Sequence, residues 1–184
     1  LNGLMIRTFS HDIVLELAQY ADIPVINGLT DLLHPCQVLA DLQTIREHKG
    51  KLAGLKLAFI GDGNNMAHSL MNGGARMGMH VAVACPDGYQ PDAAVLAQAQ
   101  AAAKESGGSV AVLADPMAAA AGADVIYTDV WASMGQEAEK AEREKIFGGV
   151  YQVNDELMAA ANPGAMVLHC LPAHLGEEIT EAVF

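Results

Sequence analysis

Short apolar runs of strand length alternate with helix-length segments along most of this chain, and that alternation most constrains its fold. Residues 55–60, 79–85, 109–113, 124–129 and 165–168 each read as a buried strand. Between them lie periodic segments at 65–77, 92–105, 117–121, 136–147 and 155–161 that read as helices. Strand, helix, strand in this order implies a mainly parallel sheet with helices on both faces. The fold class expected is therefore α/β, a three-layer α/β/α domain.

The first fifty residues carry less. A short strand is expected at 3–7, a helix at 11–20 with Ser10 as its N-cap, and a second short strand at 23–26. A further helix runs from Pro35 to about His48, with Gly50 just past its end. The five later strands make a complete domain. Residues 1–33 do not, and their apolar faces need a partner. The expected division is 1–34 as the remnant of a second similar domain, 35–50 as a linking helix, and 51–184 as the main domain.

Composition narrows the function. The net charge of −12 disfavours nucleic acid or an anionic membrane as the main partner. Apolar residues make up 52% of the chain, yet no run reaches the roughly 18 residues of a membrane span. Cys36, Cys85 and Cys170 are widely spaced, which fits free thiols in a reducing cytoplasm and no structural metal site.

Reactive side chains gather where strands end. His169-Cys170-Leu171-Pro172 follows the last apolar run, Gly61-Asp62-Gly63-Asn64-Asn65 follows the first, and Asp129 to Gly135 follows the fourth. Open α/β sheets bind ligands outside the carboxyl ends of their strands, so three such clusters suggest one shared site. His34-Pro35-Cys36-Gln37 opens a helix, where backbone N–H groups favour an anion or a carbonyl oxygen. Each cluster also has a bland reading. Cys170 alone can be an inert buried thiol, Asn64-Asn65 a simple cap, His34 a buried core histidine, and Trp131 core filler. The run from Glu137 to Lys145 reads as a solvated helical face of opposed charges. Gly61-x-Gly63 invites a dinucleotide site, but Met66 stands where a third glycine belongs.

Taken together, HPCQ at 34–37, GDGNN at 61–65, DVWASMGQE at 129–137 and HCLPAH at 169–174 resemble the ornithine carbamoyltransferases of the aspartate/ornithine carbamoyltransferase superfamily. The motifs occur in the family's order over nearly the whole chain. The resemblance implies a Rossmann-like ornithine-binding domain and part of a carbamoyl-phosphate domain. It implies that His34 and Gln37 contact the carbamoyl group of carbamoyl phosphate, with Cys170 and the backbone of Leu171 beside the reacting centre. Asn65, Asp129, Ser133 and the backbone of Met134 would bind L-ornithine. Cys170 and Asp129 would be the catalytic pair. No metal and no organic cofactor is implied, and the assembly would be a homotrimer or a set of trimers.

The departures matter too. The family's Ser-x-Arg-Thr-Arg phosphate motif is not found, and Arg7-Thr8 reads as a structural strand end. Leu175 stands where many relatives carry arginine. The chain therefore looks like part of a larger enzyme, with these 184 residues expected to be inactive alone. A non-catalytic amino-acid-binding domain, a putrescine carbamoyltransferase and a nucleotide-dependent oxidoreductase domain are the rival readings.

Overall fold

The computed structural model describes residues 1–133 and 135–184. In chain order the elements are β1 (Leu4–Arg7), α1 (His11–Tyr20), β2 (Val25–Leu29), α2 (Pro35–Lys49), β3 (Lys56–Ile60), α3 (Asn65–Arg76), β4 (His80–Ala84), α4 (Ala93–Ser106) and β5 (Ser109–Leu113). They continue with α5 (Pro116–Ala120), β6 (Val125–Thr128), a 3-10 turn at Glu137–Glu139, α6 (Lys140–Phe147), α7 (Asp155–Ala160) and β7 (Met166–His169).

Five strands form one parallel sheet in the order β5-β4-β3-β6-β7. Successive side chains on a strand face opposite ways, and β3 shows the result. Leu57 and Phe59 face a core shared with Val38, Leu42 and Ile45 of α2 and Leu70 and Met71 of α3. Ala58 and Ile60 face a second core with Ala119, Phe147 and Leu157. Both faces are covered, as the apolar strands require. Burying Phe59 or Leu57 contributes roughly 1.5–3 kcal/mol each by transfer from water.

Two glycines let backbones approach. A Cβ at Gly73 would lie 2.7 Å from Cγ1 of Val38, so only glycine lets α2 pack this closely on α3. A Cβ at Gly63 would lie 2.3 Å from the Pro91 nitrogen. The backbone of residues 89–91 therefore packs directly against Gly63, where no side chain would fit.

The strand order reverses between β3 and β6. Chain growth runs outward from β3 through β4 to β5, then returns to place β6 and β7 on the other side. Such a switch point leaves a crevice at the carboxyl ends of the two central strands. Asp62 to Asn65 and Asp129 stand at that crevice.

The amino-terminal part is a separate two-stranded parallel sheet, β1-β2. It leaves large apolar side chains in water, including Met5 at 66% and Phe9 at 64% exposure. Among the described residues, no helix is long and apolar enough to cross a membrane.

Local expectations shifted in three places. The second strand runs over Val25–Leu29 rather than 23–26, because its pairing with β1 begins at Val25, opposite Leu4. Ser10 occupies the N-cap position of α1 without a capping bond; Oδ1 of Asp31 accepts from the His11 N–H at 3.0 Å instead. The segment expected as one helix over 136–147 begins as a 3-10 turn.

Candidate active site

One cavity of about 350 Å³ opens at the switch point. Asn64, Asn65, Asp129, Ser133, Cys170 and Leu171 line it from the five-stranded sheet, and Arg7, Thr8, His34 and Gln37 line it from the amino-terminal side. Met134 lies outside the described residues.

Asp129 is the hub. It follows β6 and is 7% exposed. Its Oδ1 accepts from the Val130 N–H at 2.8 Å and from Sγ of Cys170 at 3.0 Å. Its Oδ2 accepts from Nδ2 of Asn64 at 2.9 Å. All three donors are neutral, and no ion pair to Asp129 occurs among the described residues. A buried carboxylate without a cation is costly. The arrangement suits a ligand that brings positive charge.

Asn64 does double duty at the start of α3. Its Oδ1 accepts from the N–H groups of Met66 and Ala67, capping the helix, while its Nδ2 holds Asp129. Sequence reasoning singled out Asn65. That residue also lines the cavity, but its Nδ2 donates to the Thr30 carbonyl at 2.8 Å. The cap position, recognisable from the helix start that follows, was the signal for Asn64.

Cys170 follows β7. Burial, reinforced by the charge of Asp129, pushes its thiol far above the usual range. The group stays an S–H that donates to Asp129; it is no thiolate nucleophile. Leu171 has φ 58°, a left-handed conformation unusual for a branched residue. Its N–H donates to Nδ1 of His169 at 2.8 Å. That nitrogen must therefore be bare, so Nε2 carries the hydrogen and donates to Oε1 of the buried Glu178 at 3.1 Å. Burial works to raise the Glu178 carboxyl, but the bonds from His169 and the His174 N–H prevail and hold it below its usual value.

Across the cavity, His34 caps α2 and its N–H donates to Oγ of Ser69 at 2.7 Å. Burial and the nearby charge of Arg7 lower its pKa, which keeps the imidazole neutral at pH 7. Nδ1 of His34 is buried with no partner among the described residues. Gln37 donates from Nε2 to Oδ1 of Asp41 at 2.9 Å, and the Tyr127 hydroxyl donates to Oδ2 at 2.9 Å. The Gln37 amide is thus held by a buried, hydrogen-bonded acid. Ser133 sits in a closed loop: its N–H donates to Oε1 of Gln136, and the Gln136 N–H donates back to the Ser133 carbonyl, both at 3.0 Å.

Arg7 ends β1 as expected, and with Thr8 just after it also lines the cavity. One expectation needs correction. Arg143 is not on a solvated face. It is 6% exposed, and its Nη1 lies 2.6 Å from Oδ2 of Asp62 and 3.0 Å from the Trp131 carbonyl. Its guanidinium also lies over the Tyr89 ring at 5.0 Å.

Ligand atoms of Asp129, His169 and Cys170 lie within 4.8 Å of one another, a spacing that a metal could bridge. Both ring nitrogens of His169 are engaged and the thiol is protonated, so the group reads as a hydrogen-bonded cluster.

A cleft at the switch point, with an amide and an acid on one wall and a helix-start histidine and glutamine on the other, is a pocket of the kind that binds small polar ligands. The chain belongs to the aspartate/ornithine carbamoyltransferase family: the Asp/Orn-binding domain of that family matches residues 53–184 and its carbamoyl-P-binding domain matches residues 1–47. It is similar to the ornithine carbamoyltransferase of Symbiobacterium thermophilum, with 63% identity over 183 residues, 100% of this chain and 59% of that one. The ornithine carbamoyltransferase of Thermococcus kodakarensis is 58% identical over 99% of this chain and 58% of its own length. The structure of the ornithine carbamoyltransferase from Pyrococcus furiosus superposes with a TM-score of 0.95 at 55% identity, covering 100% of this chain and 58% of that one. The chain thus spans less than two thirds of the length of these relatives.

Proposed function

We propose that this chain works in an ornithine carbamoyltransferase, moving the carbamoyl group of carbamoyl phosphate to the δ-amine of L-ornithine to give L-citrulline and phosphate. The observation that carries the reading is the unpaired, buried Asp129 held by Asn64 and Cys170 in the cavity. An ammonium-bearing substrate supplies the missing charge. Residues 51–184 would bind ornithine through Asn65, Asp129, Ser133 and Met134. Residues 1–34 would belong to the carbamoyl-phosphate side, with 35–50 as the link.

In this reading the neutral His34 and Gln37 orient the carbamoyl group, and the Leu171 backbone faces the same centre. The δ-ammonium first gives a proton to solvent; the neutral nitrogen then bonds to the carbamoyl carbon, the bond from that carbon to the phosphate oxygen breaks, and the nitrogen's surplus proton leaves with the departing phosphate. Fixed donors around the carbamoyl oxygen act where charge develops, a contribution of about 10²–10³ in rate per donor in other enzymes. Arg7 supplies positive charge on the phosphate side of the cavity. The free thiols Cys36, Cys85 and Cys170 suit a cytoplasmic setting, and a homotrimer or assembly of trimers follows from the family reading.

A citrulline-formation assay on the complete protein tests the assignment. Turnover with L-ornithine, and not with putrescine or L-aspartate, is expected. Turnover with either alternative in place of ornithine refutes the substrate.

A further inference from the structure

A stripe of polar side chains on α3 grips the segment that carries His34. Asn65, His68 and Ser69 stand three and four residues apart, so they share one helix face. Each bonds the backbone of residues 30–34. Nδ2 of Asn65 donates to the Thr30 carbonyl at 2.8 Å, Nδ1 of His68 lies 2.9 Å from the Leu32 carbonyl, and Oγ of Ser69 accepts from the His34 N–H at 2.7 Å. His68 and Ser69 are buried.

The tautomer of His68 follows from its second contact. Nε2 accepts from the Asp92 N–H at 2.9 Å, so it is bare and the hydrogen is on Nδ1, donating to Leu32. The gripped segment is itself closed by reciprocal Thr30–Leu33 bonds. Its end, His34, reaches the cavity wall, and the first member of the stripe, Asn65, lines the same cavity.

We propose that the Asn65, His68 and Ser69 face of α3 is a latch that sets the position of His34 against the amino-acid half of the cavity, with His68 and Ser69 as positioning residues. Its kinetic consequence rests on the proposed function; the latch itself does not.

Isosteric variants separate the two bonds of His68. An asparagine amide reproduces the place of Nδ1, and a glutamine amide that of Nε2. His68→Asn keeps the Leu32 bond, while His68→Gln keeps only the Asp92 bond. Hydrogen exchange on this chain reads the result directly. Loss of a latch bond should speed exchange at the Leu33 and His34 amides and the first turn of α2 by about tenfold in His68→Gln and Ser69→Ala. His68→Asn should stay close to wild type, and β3 and β4 should be unaffected in all three. Unchanged exchange over 30–38 in His68→Gln and Ser69→Ala, or equal acceleration in β3 and β4, overturns the latch. In the complete protein, His68→Gln should lower kcat about tenfold and leave the KM for ornithine within about twofold, with His68→Asn restoring most of the rate. A KM effect without a kcat effect contradicts the positioning role. Absence of turnover in the unmutated protein refutes the enzyme reading and leaves the latch to the exchange result.

Discussion

Two largely buried acids at neighbouring strand ends meet opposite fates. Asp62, after β3, is paired with Arg143 at 2.6 Å. Asp129, after β6, has only neutral donors among the described residues. Both are largely shielded from water. Burial pushes the Asp62 carboxyl up against the pull of Arg143, with Asp129 adding to the rise. The difference teaches what each is for. A charge neutralised within the fold ties elements together: Asp62 joins the β3 loop to α6 and, through Arg143, to Trp131. A charge left without a cation in a cavity is available to a ligand.

Breaking the first pair should have the largest effect on folding. Arg143→Met leaves Asp62 buried and alone, and a loss of about 3–5 kcal/mol in unfolding free energy is expected from denaturant titration. The double variant with Asp62→Asn should recover much of that loss, because the stranded charge is gone. Equal stability of the single and double variants would mean that Arg143 acts through packing alone.

Asp129→Asn should show the reverse profile. Melting should stay within a few degrees of wild type or rise, since the variant removes an uncompensated buried charge. Carbamoyl transfer by the complete protein should fall by about 10²–10⁴. Cys170→Ala should cost less turnover than Asp129→Asn, because it removes one neutral hydrogen bond and keeps the acid. A large drop in melting with full turnover would make either residue structural.

The smallest effect concerns pH. His34 has a folded pKa below its ordinary 6.5. The unfolded chain therefore binds more protons in that window, and stability falls as pH drops from about 6.5 toward the folded value. Urea unfolding between neutral and mildly acid pH should show this slope, and His34→Gln should flatten it. An unchanged slope assigns the dependence to another group; Glu178, whose carboxyl is held below its ordinary 4.5, gives up its stability only in more acid solution.

The contrast between the two acids was only half visible in the sequence. Strand ends were legible because the apolar runs at 55–60 and 124–129 stop at polar clusters, and parallel strands put such ends on one edge. That reasoning drew attention to Asp129 and Cys170. It could not pair Asp62 with Arg143, which lies 81 residues away in a run where every neighbour is charged or small. Burial of one cation in such a run depends on tertiary contact, not on period. Asn64 and Asn65 show a finer limit. Adjacent residues at a helix start point in different directions, and only geometry shows that one amide reaches Asp129 and the other Thr30. The polar face of α3 hid in the same way, since His68 and Ser69 look like ordinary interruptions of an apolar helix. Arg7 was discounted for want of a motif, though its place at the end of β1 brings it to the cavity.

Calorimetric titration of L-ornithine into the complete protein, with carbamoyl phosphate or an unreactive mimic present, tests the central claim most directly when wild type and Asp129→Asn are compared. The unpaired acid predicts saturable binding to wild type and at least about tenfold weaker binding to the variant, with melting within a few degrees of wild type or higher. Equal affinity in both proteins would contradict the account, because Asp129 would then not be the charge that ornithine completes.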